Sequence, residues 1–553
     1  MDGKKELVLV IHFLYLNKKL YNAYIMYDLL IKRGTVFDGG GKKDAFVADI
    51  GISGSLIKEV GNLKNASAKK IINAEGFFVS PGFIDVLNHS DTYLTLFTIP
   101  KQNSLVSQGV TSIIGGNCGS SLAPLVSGKA IESVQKWTDT SQINIDWLRS
   151  SEFFDVLTKK NMLTLNFGTL TGYSTVRQGV LRGGAKKVSL QEIEIIKFLI
   201  EQSQKEGSFG VSLGLVYAGE KNISENELKE ALLSVKKYKN IFTVHLRNEA
   251  DKLLNSLREI IFLAEETETK LHISHLKVLG KDNWSKFDAA LKEIEKAQKR
   301  GVDVTFDVFP YASNGMSLYT VLRRWAREGS KKDILARLND KEESKKIEKD
   351  LKEMRLNYKK ITIAALAGDK IFLGKTIAGI AENWGVSPER AIIDVLLGSD
   401  LKVIVFAHIM SEENVQKAIK HPFSIIASDG AGYDLKFKEV GDMPHPRAFG
   451  AFARFLRKYP NPDNQNIISY KEAIHKITGY PAERFGIKNR GYIKKNYFAD
   501  ITIFDPKTIE ELTTFEYPYE YSVGVKNVFV NGNLIYEDGK FFEGFYGRVL
   551  KKQ

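Results

Sequence analysis

Eight short apolar runs, most of them followed by an amphipathic stretch, dominate the middle of this 553-residue chain. Such an alternation of buried strands and helices is typical of βα units that build a parallel sheet. Eight parallel strands can close into a barrel, and the residues at their C-terminal ends then line one rim. The predicted strands cover residues 82–87, 110–114, 162–167, 208–213, 241–245, 270–275, 302–308 and 423–428.

Short β-rich runs separated by turn residues occur at both ends of the chain. They fill residues 26–80 and return in residues 491–553, and this pattern is typical of a small all-β domain. We predict one β-sandwich built from both segments. The barrel then occupies residues 81–314 and 401–490.

The connection between the seventh and eighth predicted strands is far longer than an ordinary loop between a strand and a helix. We therefore predict that residues 315–400 form an inserted, mostly helical subdomain that overhangs the rim of the barrel. The predicted fold class is α/β: a barrel, a β-sandwich and a late helical insertion.

The first 25 residues are predicted to be an extension, with Met26 as an alternative start. Basic residues precede a short apolar run, but His12 interrupts it, and no small-residue cleavage site follows. No other segment is long and apolar enough to cross a membrane.

A single cysteine, Cys118, excludes an intramolecular disulfide and fits a reducing compartment. We expect a cytoplasmic protein with no membrane partner.

The net charge of +13 raises the question of nucleic acid as a partner. The lysines are mostly interleaved with acidic residues, as in residues 339–360, "NDKEESKKIEKDLKEMRLNYKK". This pattern is typical of a solvated helix face with many ion pairs. No nucleic-acid-binding motif accompanies the charge, so we expect no nucleic-acid partner.

Residues that commonly bind metal or transfer protons fall at the ends of the predicted strands: Cys118, His245, His275, Asp429 and His89. A thiolate and two imidazoles suit Zn²⁺ and leave its fourth position open for water. Asp429 would then accept a proton from that water. Each residue alone is more often structural, since a lone cysteine usually packs as a small apolar group. Their convergence on one rim favours a site.

The other histidines are given structural or surface roles. His272 lies on the same predicted strand as His275 but points to its opposite face, so we assign it to packing. We assign three further histidines to structural or exposed positions: His408, His421 and His475.

Ten motifs along the chain resemble the N-acyl-D-amino-acid deacylases, or D-aminoacylases, of the amidohydrolase superfamily. The motifs are "PGFIDVLNHSD", "GGNCGSSLAP", "GLVYAG", "HLRNE", "SHLK", "DVFPY", "ASDG", "HPRAFGAFARFL", "PAERFG" and "FADITIFDP". The resemblance runs in order from about residue 27 to the C-terminus. It implies a distorted TIM barrel beside a small β-sandwich, and zinc-dependent hydrolysis of N-acyl-D-amino acids to a carboxylate and a D-amino acid.

The resemblance also implies roles for individual residues. Cys118, His245 and His275 match the ligands of the tightly held zinc, and Asp429 matches the catalytic acid and base. The residues that match substrate contacts are Tyr217, Lys277 and Arg447. An arginine paired with a lysine suits the α-carboxylate of a small-molecule substrate.

Two departures from the family pattern change these expectations. Leu87 stands where the family usually has the first histidine of a His-x-His pair, so His89 alone remains there. We therefore predict one zinc ion, with His89 capping the pocket or completing the zinc environment through water. Phe309 and Gly315 stand where the family often has a tyrosine and a nearby serine, and we expect Tyr311 to compensate.

Two other functions stay open at this point. One is a cyclic-amide hydrolase of the dihydroorotase or hydantoinase type, although those enzymes usually use two metals and a carbamylated lysine. The other is a catalytically silent barrel that only binds or assembles. The preference for D over L substrates comes from the resemblance alone, and the sequence leaves the oligomeric state open.

Overall fold

The computed structural model describes residues 26–552 except residues 136–142, 161, 182–186, 218–219, 221–222, 367–369 and 441. The predicted N-terminal extension, residues 1–25, lies outside the described residues. Within the described part of the chain, no helix combines the length and the apolar character needed to cross a bilayer.

Eight parallel strands form the barrel, and each overlaps one predicted run. They are Phe83–Asp85, Val110–Gly115, Asn166–Thr169 with its continuation Thr171–Gly172, Gly210–Gly214, Ile241–His245, Lys270–Ile273, Val304–Val308 and Ser424–Ile426. Neighbouring strands pair in parallel in chain order. A parallel bridge between Asn88 and Gly430 joins the first strand to the last. The fold is thus a distorted TIM barrel, as predicted.

The third strand begins four residues later than the predicted run of 162–167. Leu163 and Leu165 are buried, which explains the apolar signal. Their backbone faces the C-terminal segment, because the Gly547 N–H donates to the Leu163 carbonyl at 2.7 Å. This apolar run therefore packs against the end of the chain before the barrel strand begins.

Amphipathic helices cover the outside of the barrel, as expected for a parallel sheet whose strands are apolar on both faces. Several start at serine caps: the Ser189 hydroxyl accepts from the Glu192 N–H, and Ser224 accepts from Glu227. The helices are Ser150–Lys159, Tyr173–Leu181, Leu190–Lys205, Glu225–Lys237, Leu253–Thr267, Lys286–Lys299, Glu412–Lys420, Arg447–Lys458, Tyr470–Ile477 and Gly479–Phe485.

Strands from both chain ends form one nine-stranded sheet beside the barrel. The two halves join where Ile501–Phe504 pairs antiparallel with Phe78–Pro81. The other strands are Met26–Val36, Phe46–Ser53, Leu56–Gly61, Ser67–Asn73, Val525–Val530, Asn533–Glu537 and Lys540–Phe541.

An insertion separates the seventh and eighth barrel strands and has its own apolar core. It combines a three-stranded antiparallel sheet with four longer helices. The strands are Asn314–Ser317, Ile361–Leu366 and Val403–Ala407, and the helices are Lys331–Asn339, Lys341–Glu353, Ile377–Trp384 and Pro388–Gly398.

A buried ion pair connects the barrel to the terminal sheet. Arg490 and Asp500 pair with side chains that are only 2% and 4% exposed. Asp500 also accepts from Asn166 of the third barrel strand and from the backbone of Asn531. Removing one partner of such a pair leaves an uncompensated charge in the interior.

We predict that Arg490→Met lowers the free energy of unfolding by roughly 3–5 kcal/mol, as is typical for a broken buried pair. Urea unfolding followed by circular dichroism measures the change. Lys69→Met is the control, since Lys69 pairs with Asp28 on the surface and its loss is expected to leave the unfolding midpoint unchanged. Equal midpoints for the two variants would contradict this role of the buried pair.

Candidate metal centre and active site

Three side chains with strong zinc-binding capacity meet at the C-terminal rim of the barrel. Cys118 follows the second strand, His245 ends the fifth, and His275 follows the sixth. One ligand atom from each lies within 4.8 Å of those of the other two. The Cys118 Sγ is 3.7 Å from the His275 Nε2, and the two imidazole centroids are 4.3 Å apart. This donor set and spacing fit a Zn²⁺ ion.

The loop that carries Cys118 depends on glycines. Gly116 and Gly119 have φ angles of +72° and +79°, which disfavour residues with a side chain. A Cβ at Gly116 would lie 2.1 Å from the Leu170 carbonyl oxygen, so the loop backbone runs directly against the third strand. Asp91 fixes the loop further, because its Oδ2 accepts from the Gly116 N–H at 2.6 Å. Close backbone packing therefore places the thiol at the rim.

The environment of Cys118 favours the thiolate. Burial by itself raises the pKa of a thiol. The neighbouring imidazoles of His245, His275 and His89 outweigh this effect and hold the pKa of Cys118 well below its usual range. The thiolate is the form that binds metal ions.

Asp429 follows the eighth strand and has both carboxylate oxygens engaged. Its Oδ1 is 3.2 Å from the His89 Nε2, and its Oδ2 is 2.7 Å from Arg447 Nη1. Burial raises the pKa of this carboxyl, but Arg447 and the imidazoles of His275 and His89 lower it far below its usual value. Asp429 is therefore ionised, which is the form that a general base must have.

Arg447 begins the helix Arg447–Lys458 and lies between Asp429 and the insertion. Its guanidinium stacks on the Phe309 ring, with Cζ 4.8 Å from the ring centroid. Gly315 of the insertion lies close to this guanidinium, since a Cβ built on it would be 3.5 Å from Arg447 Nη2. The Nε of Arg447 is buried without a hydrogen-bond partner among the described residues. A buried donor of this kind is ready for an anionic group of a ligand.

Tyr217 and Lys277 also lie at the cluster. The Tyr217 ring is buried, with its centroid 5.2 Å from that of His245. The Lys277 Nζ is 2.8 Å from the His275 Nδ1. Tyr311, by contrast, lies apart, because its hydroxyl donates to Glu511 and its ring packs against His445. The structure thus brings together all the predicted site residues except Tyr311.

A buried carboxylate that the sequence reasoning left unassigned lies at the centre of this group. Glu249 contacts His245, His275 and Lys277 at distances of 2.8–3.3 Å. Burial raises the pKa of Glu249, but His245 and Lys277 hold it well below its usual range. The feature of the sequence that could have identified Glu249 is its position four residues after His245, at the end of the motif "HLRNE".

Asp307 is a second residue that the sequence reasoning did not assign. Its Oδ2 lies 2.9 Å from the His272 Nε2, and its Oδ1 accepts from the His275 N–H at 2.8 Å. His272 itself is buried and is not among the three clustered ligands. Asp307 therefore supports the backbone that carries His275.

Comparisons with known proteins find similarity to the amidohydrolases. The model of the Amidohydrolase family matches residues 385–535. D-aminoacylase from Alcaligenes xylosoxydans xylosoxydans is 29% identical over 527 residues, which cover 95% of this chain and 98% of the relative. N-acyl-D-glutamate deacylase from Bordetella bronchiseptica, solved with zinc and a phosphonate inhibitor, has a TM-score of 0.81 at 26% identity. The match covers 96% of this chain and 100% of that one.

A more distant solved structure shares the fold alone. L-hydantoinase from Arthrobacter aurescens has a TM-score of 0.53 at 15% identity, over 95% of this chain and 100% of that one. The higher identity and TM-score of the deacylases, together with the ordered motifs and the rim cluster, distinguish them from this distant relative. The chain is a member of the N-acyl-D-amino-acid deacylase, or D-aminoacylase, family of amidohydrolases.

Proposed function

We propose that this protein hydrolyses the amide bond of N-acyl-D-amino acids and releases a carboxylate and a D-amino acid, using one zinc ion. The observation that carries the proposal is the cluster of Cys118, His245 and His275 beside the ionised Asp429. The deacylase relatives match 95% and 96% of this chain and favour a linear amide over a cyclic one as substrate.

The chemistry of the three proposed ligands fits zinc. The thiol is held in its anionic form, and the buried Nδ1 of His245 has no hydrogen-bond partner among the described residues. When bound there, zinc supplies Lewis acidity for the acyl carbonyl and acidifies the attacking water. Leu87 supports a single ion, because it lies in the same apolar cluster as Cys118 and offers no ligand atom. His89, already within reach of Asp429, is a capping residue in this proposal.

The other residues bind the substrate and move protons. Arg447 binds the α-carboxylate through its guanidinium, and Lys277, beside His275, adds positive charge to the site. Asp429 accepts a proton from the attacking water and returns it to the nitrogen that leaves when the C–N bond breaks. The Tyr217 hydroxyl donates to the acyl oxygen as negative charge develops there. An incoming carboxylate also competes with Asp429 for Arg447, which frees one oxygen of the base.

A substrate panel tests the proposal. We expect turnover of N-acetyl-D-amino acids by the zinc-loaded protein, and much lower rates with the L-enantiomers. Analogues that lack the α-carboxylate are expected to react poorly, since they have no group for Arg447. Liquid chromatography of the released amino acid measures each rate. Turnover of hydantoin or dihydroorotate without any acyl amino acid would favour a cyclic-amide hydrolase, and a metal-loaded protein inactive on the whole panel would favour a silent barrel.

A further inference from the structure

One carboxylate reaches the outer nitrogens of both histidines in the proposed zinc site. The Glu249 Oε2 lies 3.3 Å from the His245 Nε2, and its Oε1 lies 3.3 Å from the His275 Nδ1. The Glu249 side chain is only 5% exposed, and its backbone carbonyl accepts from the Leu279 N–H at 2.7 Å. Both ends of the residue are therefore fixed.

The contacts of Glu249 select which nitrogen of each ring faces the thiol. A neutral imidazole carries its proton on one nitrogen and presents a lone pair on the other. If His245 donates from Nε2 to Glu249, its lone pair is on Nδ1, the atom that is buried without a partner. If His275 donates from Nδ1, its lone pair is on Nε2, the atom 3.7 Å from the Cys118 Sγ.

Lys277 cannot perform this selection, although its Nζ is 2.8 Å from the His275 Nδ1. An ammonium group only donates hydrogen bonds, so beside Nδ1 it favours a proton on Nε2, which would block that nitrogen as a ligand. Glu249 also binds this ammonium, with 2.8 Å between Nζ and Oε1. The carboxylate is thus placed to accept from the ring, and it holds the competing donor.

We propose that Glu249 is a positioning residue that fixes the tautomer and orientation of His245 and His275 together, so that both present lone pairs beside Cys118. The inference rests on the proposed metal site but not on the identity of the substrate. Groups that hold ligand histidines in this way typically change metal affinity by about 10–100-fold when they are lost.

The test is the affinity for Co²⁺ and Zn²⁺ of Glu249→Gln, measured by competition with a chelator in the absence of substrate. The amide has nearly the same size, but one of its two polar atoms is a donor that faces an N–H group or the Lys277 ammonium. We expect the metal Kd to rise by about 10–100-fold. The thiolate-to-cobalt charge-transfer band of the Co²⁺ form is expected to shift as the ligand geometry loosens.

Glu227→Gln is the matched control. Glu227 is also 5% exposed, and it accepts hydrogen bonds from the Tyr173 hydroxyl and Arg177 Nε, each at 2.7 Å. Its loss is expected to lower thermal stability while leaving the metal Kd and the cobalt spectrum unchanged. A merely structural role for Glu249 would give the same result in both variants.

A folded Glu249→Gln protein with the metal Kd and the cobalt spectrum of the unsubstituted protein would overturn the proposal. If that variant does not fold, Glu249→Asp decides, because it keeps the charge but withdraws the carboxylate by one methylene. An unchanged metal Kd in Glu249→Asp would then overturn the proposal, and a weaker one would support it. A protein that binds cobalt through its thiolate but hydrolyses no acyl amino acid would refute the proposed function alone.

Discussion

Replacement of Cys118 by alanine is expected to abolish zinc binding and amide hydrolysis together. The variant keeps two imidazoles but loses the anionic ligand, which contributes most of the charge that balances the metal ion. We expect the zinc affinity to fall by more than about 100-fold, because the loss of a direct ligand exceeds that of a supporting residue. Metal content after dialysis and chelator competition measure the loss.

Ser120→Ala is the control for this experiment. Ser120 is buried in the same loop, and its hydroxyl donates to the Ser133 carbonyl at 3.0 Å, away from the metal-binding cluster. We expect this variant to keep its zinc and its activity. Metal-free protein prepared with a chelator is expected to be inactive and to recover when zinc is returned. Full zinc retention in Cys118→Ala would remove the thiol from the ligand set.

Asp429→Asn is expected to retain zinc while its turnover falls by roughly 10²–10⁴-fold, the usual contribution of general acid and base catalysis. The amide has a similar shape and still contacts His89 and Arg447, but it cannot accept the proton from water. The expected loss is in kcat rather than in metal content, since Asp429 is not among the three clustered ligands. Steady-state kinetics together with metal analysis on the same preparation measure both quantities.

Asp434→Asn controls for the loss of a negative charge from the same loop. Asp434 lies five residues further along, where its Oδ2 accepts from Asn103 Nδ2 at 2.8 Å. We expect kcat within about twofold of the unsubstituted protein, because Asp434 is partly exposed and is not among the clustered ligands. If Asp429→Asn retained zinc and turned over at the original rate, another group would have to serve as the base.

Backbone conformation at the site is a feature that the residue pattern did not predict. Cys118, His275 and Asp429 have φ angles of +52°, +37° and +50°, in the left-handed region that side chains disfavour. Such conformations persist when the surrounding structure imposes them, and they are enriched at functional sites. Here the loops turn sharply at the ends of their strands, so that the thiol, the imidazole and the carboxylate point into one space.

The sequence identified most of the residues that meet at the rim because parallel strands in a barrel share one end. Cys118 and His275 are 157 positions apart, yet both follow predicted strands, and this placement alone brings them together. The same reasoning did not place Tyr311, because its orientation depends on Glu511 in the C-terminal part of the chain. Strand ends predict position on the rim but not the direction of each side chain.

By itself the sequence determined the order of the barrel strands, the barrel they form and the candidate ligands of the proposed metal centre, since period, spacing and residue chemistry are local properties. Only the tertiary structure decided that Glu249 contacts both histidines and that Asp307 supports one of them. It also decided that the apolar run before the third strand packs against the chain end. These contacts join distant segments, and their distances follow from packing rather than from any pattern along the chain.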